Sequence, residues 1–552
     1  MSPGSAIRSC QISISVHLST SSPQLPPDSS KPSHSQSHSN LQADPTTLGQ
    51  TASAQTPLAV QARTTCTAGE DAKSSSLDPT RPGFYKERDT TLTLQMSHLV
   101  PAPRETVWQW HSRPGAVIRL TPSFLPMTPR TQAENLADGT TIFDLPGGLK
   151  WEAKHELAGY VAGYRFTDRC VTAPIATLAK WRHVHVFADA EDDQGQRQWT
   201  KITDSLDTRV PKSALTSAFA YRQHQLIQDI EAKNRFDALR KAQGTEDALV
   251  IAMTGAGGLV GTALAAQLRT LGHEVIELTR SNPGEGQRLW NPEHPADDLL
   301  DGVDVLVHLA GESIMGRFSD AHKQAIYDSR VGPTKRLAQL VKASDRCHTF
   351  VSASAIGYYG HDTGDQAMDE SDGPGEGFLA KVSKDWEAAA LQAQSDSKRV
   401  ALIRTGIVLS GAGGLLPVMK TLFSVGLGGE LEGGKPWFSW IAIDDLCDLY
   451  CRAIFDQRAQ GPINAVAPNP VRNAEFTEAL GQQLNRPTFI PIPSIGPKLL
   501  LGEEGAKELA LANQLVSANA AEKLGHTFRY PELNQALAHE LGGESLVHPP
   551  LQ

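Results

Sequence analysis

The sequence predicts an α/β protein whose second half is a doubly wound parallel sheet, preceded by an α+β unit on an antiparallel sheet and by a disordered N-terminal tail. Three observations predict this. Residues 1–90 are dense in Ser, Thr, Pro and Gln, with too few large apolar side chains to offset the entropy of ordering them. Residues 91–245 alternate apolar and polar side chains in short runs divided by Gly, Asp or Pro turns, then close on a long stretch with helical spacing. From residue 248 onward, continuous apolar runs alternate with helical stretches, as expected of parallel strands covered on both faces.

With 552 residues, 40% hydrophobic and 20% charged, the chain can fill two or three cores. Its net charge is −10, and its Lys and Arg are interspersed with Asp and Glu, so no basic stripe exists for nucleic acid or for an anionic membrane. No uninterrupted apolar run is long enough for a transmembrane helix, and "CQISISVHLS" is too short, and too broken by His17, for a signal peptide. The six cysteines are scattered and form no CxxC pair, which argues against a disulfide framework or a zinc site. Cys447 and Cys451 lie one helical turn apart but without histidine neighbours, so no metal is expected and a reducing cytoplasm is the expected compartment. Met96 is a candidate start, although "TLTLQ" before it already alternates like a strand.

In the first half, "RETVWQWHS" reads as a helix, and "TTIFDLP", "LKWEAKHELAG", "AGYRFTDRCV", "WRHVHVFADA" and "RQWTKITDSLDTRV" read as antiparallel strands. The closing helix begins at "SALTSAFAYRQHQ". This order resembles the START-related helix-grip fold of the SRPBCC superfamily. The resemblance implies a cavity for a small hydrophobic ligand; a filled core serving as an interaction module is the alternative.

In the second half, "ALVIAMTG" is a buried strand ending in a turn, followed by a helix at 259–271, Gly272 as its C-cap and a strand at 274–279. Gly255, Gly258 and Gly261 allow in turn a tight bend, approach of backbone to a pyrophosphate, and close packing of helix on strand. The phosphates would sit at the positive helix start, among Gly255, Gly257, Gly258, Leu259 and Gly261. Where an NAD site would place a carboxylate on the ribose, the sequence reads Leu278, Thr279, Arg280, Ser281. A guanidinium there pairs with a 2'-phosphate, so NADP(H) is expected in preference to NAD(H). The turn "HLAGE", with Leu309, Ala310, Gly311 and Glu312, is expected beside the riboses, together with Ser352 at the end of the next strand.

"TGAGGLVG", "HLAGE", "SASAIGYYG", "LIRTGIVLS" and "WFSWIAIDDL" together resemble the extended short-chain dehydrogenase/reductases, within them the NAD-dependent epimerase/dehydratase-like "epimerase family" proteins. The resemblance implies a Rossmann domain over 248–475, a small C-terminal domain of unknown function over 486–545, and the START-like domain over 91–245.

Active members of that superfamily pair a Ser or Thr with Tyr-x-x-x-Lys on a helix. Ser354 stands at the serine position, but 24 residues later the sequence has Phe378, with Val382 in place of lysine. Lys381 and Lys384 lie about 100° or more around the helix from that direction. Tyr358, Tyr359 or Lys384 could supply the proton instead, and Ser354 with Tyr358 are the candidate catalytic pair. Arg330 and Thr334 are expected on a helix facing the cofactor; Trp437 and Trp440 wall a pocket or fill the core; Asp444 and Asp445 cap a helix. Two functions remain open: an epimerase, dehydratase or reductase acting on a small metabolite, or a non-catalytic NADP(H)-binding sensor with a hydrophobic ligand in its first domain.

Overall fold

Seven antiparallel strands form the first half: β1 (Leu92–Val100), β2 (Thr128–Thr131), β3 (Thr140–Asp144), β4 (Lys150–His155), β5 (Arg165–Cys170), β6 (Arg182–Glu191) and β7 (Gln198–Thr208). They lie in the order β1-β7-β6-β5-β4-β3-β2. Helices α1 (Arg104–Ser112), α2 (Ala116–Leu120) and α3 (Ile175–Ala179) decorate the sheet, and α4 (Lys212–Ala242) closes it. Leu226 and Ile230 of α4 pack with Phe166, Phe187, Ile202 and the α1 residues Val107 and Trp110. Period-two alternation explains the lining of the inner face: along β6, His183, His185 and Phe187 turn inward together.

The structure is a computed structural model describing residues 92–191, 198–493 and 495–548. The tail expected over 1–90 lies outside the described residues. β1 runs through Met96, which is paired with Asp204, so a polypeptide starting there would lack Leu92–Gln95 of the strand.

The second half is a parallel sheet. β8 (Val250–Thr254), α5 (Leu259–Leu271) and β9 (Glu274–Thr279) form the first unit, and Gly272 caps α5 at φ 101°. β10 (Gln287–Leu289), β11 (Val305–His308), α6 (Asp320–Asp328), α7 (Val331–Ala343), β12 (Thr349–Ala355), α8 (Phe378–Ala390) and β13 (Arg399–Thr405) follow. Next come β14 (Ile407–Leu409), α9 (Leu415–Ser424), β15 (Trp437–Phe438), β16 (Trp440–Ala442), α10 (Ile443–Phe455) and β17 (Gly461–Ala465). The main sheet has the order β10-β9-β8-β11-β12-β13-β17, every neighbouring pair parallel. Strand order reverses between β8 and β11, which opens a crevice at their carboxyl ends. α10 is buried along its whole length, because α4 and α5 pack against it and Ile441, Leu446, Cys451 and Phe455 share one core with Phe236, Leu264 and Ile403.

The last segment contains β18 (Val471–Arg472), α11 (Asn473–Leu484), α12 (Ile495–Gly505), α13 (Asn519–Lys523) and α14 (Leu533–Leu541). Leu533 and Leu537 of α14 share an apolar cluster with Leu416 and Phe423 of α9 and Phe476 and Leu480 of α11. Helix α14, within the expected C-terminal domain, thus packs into the core of the parallel-sheet half. Among the described residues no helix is long and apolar enough to cross a membrane.

Candidate functional site

The glycine turn after β8 is shaped by what a side chain would hit. Gly255 sits at φ 71°, and a Cβ there would lie 2.9 Å from the Ala310 amide nitrogen. A Cβ on Gly261 would lie 2.1 Å from the Gly255 carbonyl oxygen, so only glycine lets α5 pack this closely on the turn. Gly257 is different: a Cβ there meets nothing within 4 Å. Its surroundings are open, on the side where Gly258 starts α5 without any side-chain cap. Uncapped amides at a helix start, beside space left by a missing side chain, fit the pyrophosphate of a dinucleotide. Leu259 closes the turn from the other side, against Gly413 and Gly414.

Arg280 is exposed and makes no hydrogen bond or ion pair among the described residues. The last carboxylate of β9, Glu277, is occupied by Arg269 at 2.8 Å and Gln287 at 3.0 Å. At this strand end a cation is available and no carboxylate competes for it.

Beyond β11, the amides of Leu309 and Ala310 both donate to Thr254 Oγ1 at 3.2 Å. That hydroxyl also lies 2.7 Å from His308 Nδ1, whose Nε2 lies 2.9 Å from Thr334 Oγ1. Because Thr254 Oγ1 accepts two amides, it donates to Nδ1; the proton on the ring then sits on Nε2 and points to Thr334. Burial, with the Arg330 charge nearby, lowers His308 to about 3, so the ring stays neutral. Arg330 packs its guanidinium against Gly311, where a Cβ would come within 3.0 Å, and over the Trp386 ring at 5.2 Å. Thr334 thus supports the turn from below, while Gly311 and Glu312 lie exposed at its tip.

The substrate end departs from the sequence expectation. Ser354 Oγ donates to Glu387 Oε1 at 2.6 Å. Arg404 grips the same carboxylate with two donors at 2.8 Å, donates to the Tyr359 hydroxyl at 2.9 Å, and lies 3.6 Å over the Tyr358 ring. Burial pushes Tyr359 up to about 12 and its hydroxyl reaches Asn464, so it stays a phenol. Ser354 is therefore held within a buried polar cluster, with Glu387 as the acceptor of its hydroxyl proton. Ser352 is enclosed too, its hydroxyl donating to the Ala353 carbonyl. Tyr358 is half-buried and its hydroxyl makes no hydrogen bond among the described residues. Phe378 and Val382 pack with Phe318 and Ile326, and Lys381 pairs with Asp385 at 2.6 Å. Glu387 and Arg404 carry a sequence signal of their own: a charge interrupts the apolar strand "ALIRTG", opposite another on the buried side of α8.

Trp440 is fully buried and donates to the Asn469 carbonyl, while Trp437 stacks under Arg472. Asp444 and Asp445 lie in the first turn of α10 but bind Arg119 and the amides of Arg529 and Tyr530. They join halves of the molecule rather than cap the helix. Burial raises the Cys447 and Cys451 thiols.

In the first half, a cavity of about 140 Å³ lies between sheet and α2, with Phe143, Trp151 and Phe166 on its wall. Asp168, His183, His185 and Arg222 line it as well. Its wall is mixed, because the alternation of "HVHVF" turns two histidines inward beside the aromatic side chains.

Residues 251–465 match the NAD dependent epimerase/dehydratase family and residues 492–540 a domain of unknown function, DUF1731. The chain belongs to the epimerase/dehydratase family. Among relatives it is similar to an epimerase family protein of Mycobacterium tuberculosis, 42% identical over 52% of this chain and 97% of that one. It is also similar to human epimerase family protein SDR39U1, 34% identical over 51% of this chain and 96% of that one. A solved structure of that human protein (isoform 2), described with NADPH, covers 53% of this chain and 99% of that one at 31% identity and TM-score 0.49. A structure described as the nucleoside-diphosphate sugar epimerase from Corynebacterium glutamicum is 54% identical, with TM-score 0.73, over 82% of this chain and 91% of that one. That coverage extends from the parallel-sheet half into the antiparallel half.

Proposed function

We propose that the parallel-sheet half binds NADP(H) in preference to NAD(H), and that a small metabolite enters the cleft beside Tyr358. The observation that carries this reading is the pairing of an open, uncapped glycine turn at Gly257 and Gly258 with an unpartnered Arg280 one strand away. The human relative supports it through its sequence similarity and the NADPH named with its structure. When bound, the cofactor gives or takes a hydride. Gly255–Gly261 would hold its pyrophosphate and Arg280 its 2'-phosphate; the turn at Leu309–Glu312 would lie along the riboses. Tyr358 presents a phenol with no hydrogen-bond partner among the described residues, and the Arg404 guanidinium stacked on its ring holds that ring in place. Ser354, fixed by Glu387, acts by holding this cluster in place. The antiparallel half is read as a START-like chamber for a second small ligand.

A second reading has its own observation. Phe378 and Val382 replace the proton-handling pair and are packed into an apolar cluster, which suits a protein that binds NADP(H) and reports its redox state. The test is a fluorescence titration with NADPH followed by NADPH consumption across ketones and nucleotide sugars. Turnover abolished by Tyr358→Phe supports the enzyme. Saturable binding without turnover supports the sensor, and no binding contradicts both.

A further inference from the structure

Sheet register in the first half collects four ionisable side chains on one inner face. Asp168 of β5 stands directly opposite His183 of β6, and His185 stands opposite Asp204 of β7. His183 and His185 are two apart, so both project from the same face. The result is buried: both histidines are 4% exposed and Asp204 is 5% exposed.

The four groups are not equivalent. His183 Nδ1 and His185 Nε2 converge on one oxygen, Asp168 Oδ2, at 3.5 and 3.3 Å. The opposite nitrogens, His183 Nε2 and His185 Nδ1, both lie 2.9 Å from Asp204 Oδ1. Asp168, His183 and His185 line the cavity, whereas Asp204 lies behind the rings. Phe166 stacks on His185 at 4.1 Å and fixes its plane.

The geometry points to a divalent transition-metal site in the antiparallel half, with Asp168 Oδ2, His183 Nδ1 and His185 Nε2 as ligands and an open position toward the cavity. Bonds of about 2.0–2.2 Å to a tetrahedral ion put ligand atoms about 3.4 Å apart, and the two distances to Asp168 Oδ2 bracket that figure. Metal-bound histidines commonly donate their other N–H to a carboxylate, and Asp204 supplies that acceptor to both rings at once. Two histidines and one carboxylate on one side of an ion leave room for an exogenous ligand. The two carboxylates balance a dication, so the Arg222 guanidinium on the same cavity wall selects an anionic oxygen ligand, such as a small carboxylate, at the open position.

The site is independent of nucleotide binding, and so is its test. The full chain is stripped with a chelator, desalted and titrated with Co²⁺, reading its visible absorption bands and the bound stoichiometry. One Co²⁺ per chain is expected, with bands characteristic of nitrogen and oxygen ligands at low coordination number. Asp168→Asn and the double variant His183→Gln/His185→Gln should abolish those bands; far-ultraviolet circular dichroism confirms that each variant is folded. Asp204→Asn leaves the ligands in place and should weaken Co²⁺ by roughly 10–100-fold. Should the double variant fail to fold, Asp168→Asn alone decides. No saturable binding at millimolar Co²⁺ would overturn the proposal. So would binding with an unchanged spectrum in Asp168→Asn, which would place the ion elsewhere, for instance on His34 and His38 of the N-terminal tail.

Discussion

At the scale of single residues, the glycines of the turn separate folding from binding. Gly257→Ala adds a methyl to open space, so the melting temperature should stay unchanged while NADPH affinity falls by an order of magnitude or more. Gly261→Ala forces a methyl onto the Gly255 carbonyl and should lose stability and binding together. Thermal scans beside NADPH titrations check both; equal behaviour of the two variants would show that Gly257 does not face the phosphates. Glu387→Gln tests the buried cluster. It removes the carboxylate that Arg404 grips with two donors, both groups being under 10% exposed. Leaving a buried guanidinium without its counter-charge costs about 3–5 kcal/mol. Urea denaturation should show that loss, and a change under 1 kcal/mol would mean that the cluster is open to water.

At the scale of elements, α14 carries a titrating contact. Burial alone would lower His539, but hydrogen bonds to Asp444 and Glu544 outweigh it and raise the ring to about 10. Gln225 also binds it, Tyr221 and Tyr530 stack on its two sides, and Glu540 adds negative charge while Arg119 and Arg529 stand across the network. A folded value above the ordinary 6.5 gives a stabilisation that is complete below pH 6.5 and lost as pH rises toward about 10. Asp445, raised to about 7 by burial and by Asp448, acts with the same sign but lower on the scale, its stabilisation being lost between the ordinary 3.8 and about 7, so His539 alone sets the alkaline decline. The melting temperature should therefore decline between neutral and alkaline pH, and His539→Gln should flatten that decline; an unchanged slope would contradict the assignment. Elements were legible where periodicity is local: helix 259–271 and its Gly272 cap follow from spacing alone, and the strand read at 248–253 is observed at Val250–Thr254. The same alternation that marked "WRHVHVFADA" as a strand held the cavity histidines in view, but their carboxylates sit on β5 and β7. Only register between strands brings them together, and register is not written in any one segment. Ser354 was placed on the correct strand for the same local reason, while its partner Glu387 reaches it from α8, 33 residues away.

At the scale of the whole molecule, buried ion pairs join the antiparallel half, the parallel sheet and the C-terminal segment. Arg529 meets Asp229 of α4 at 2.6 Å and Asp448 of α10 at 2.7 Å, and Arg119 of α2 meets Asp229 and Asp444, each at 2.6 Å. All are buried, so each charge depends on partners contributed by another part of the chain. Arg529→Met should cost about 3–5 kcal/mol by removing the close counter-charge of Asp448 and leaving Asp229 to Arg119 alone. The wild type should unfold in one cooperative transition, and two well-separated transitions would show that the halves are not coupled. The first half also reaches the parallel sheet directly, since α2 packs on α5 and Arg113 donates to the Thr270 carbonyl, while α10 packs on both α4 and α5. The central claim is that the crevice is built for a cofactor with a phosphorylated ribose. Calorimetric titration of the full chain with NADPH and NADH, repeated on Arg280→Asp, tests it most directly. NADPH should bind the wild type at least tenfold more tightly than NADH, with that margin erased by the substitution; equal affinities in the wild type, or no heat from either nucleotide at millimolar concentration, would contradict it.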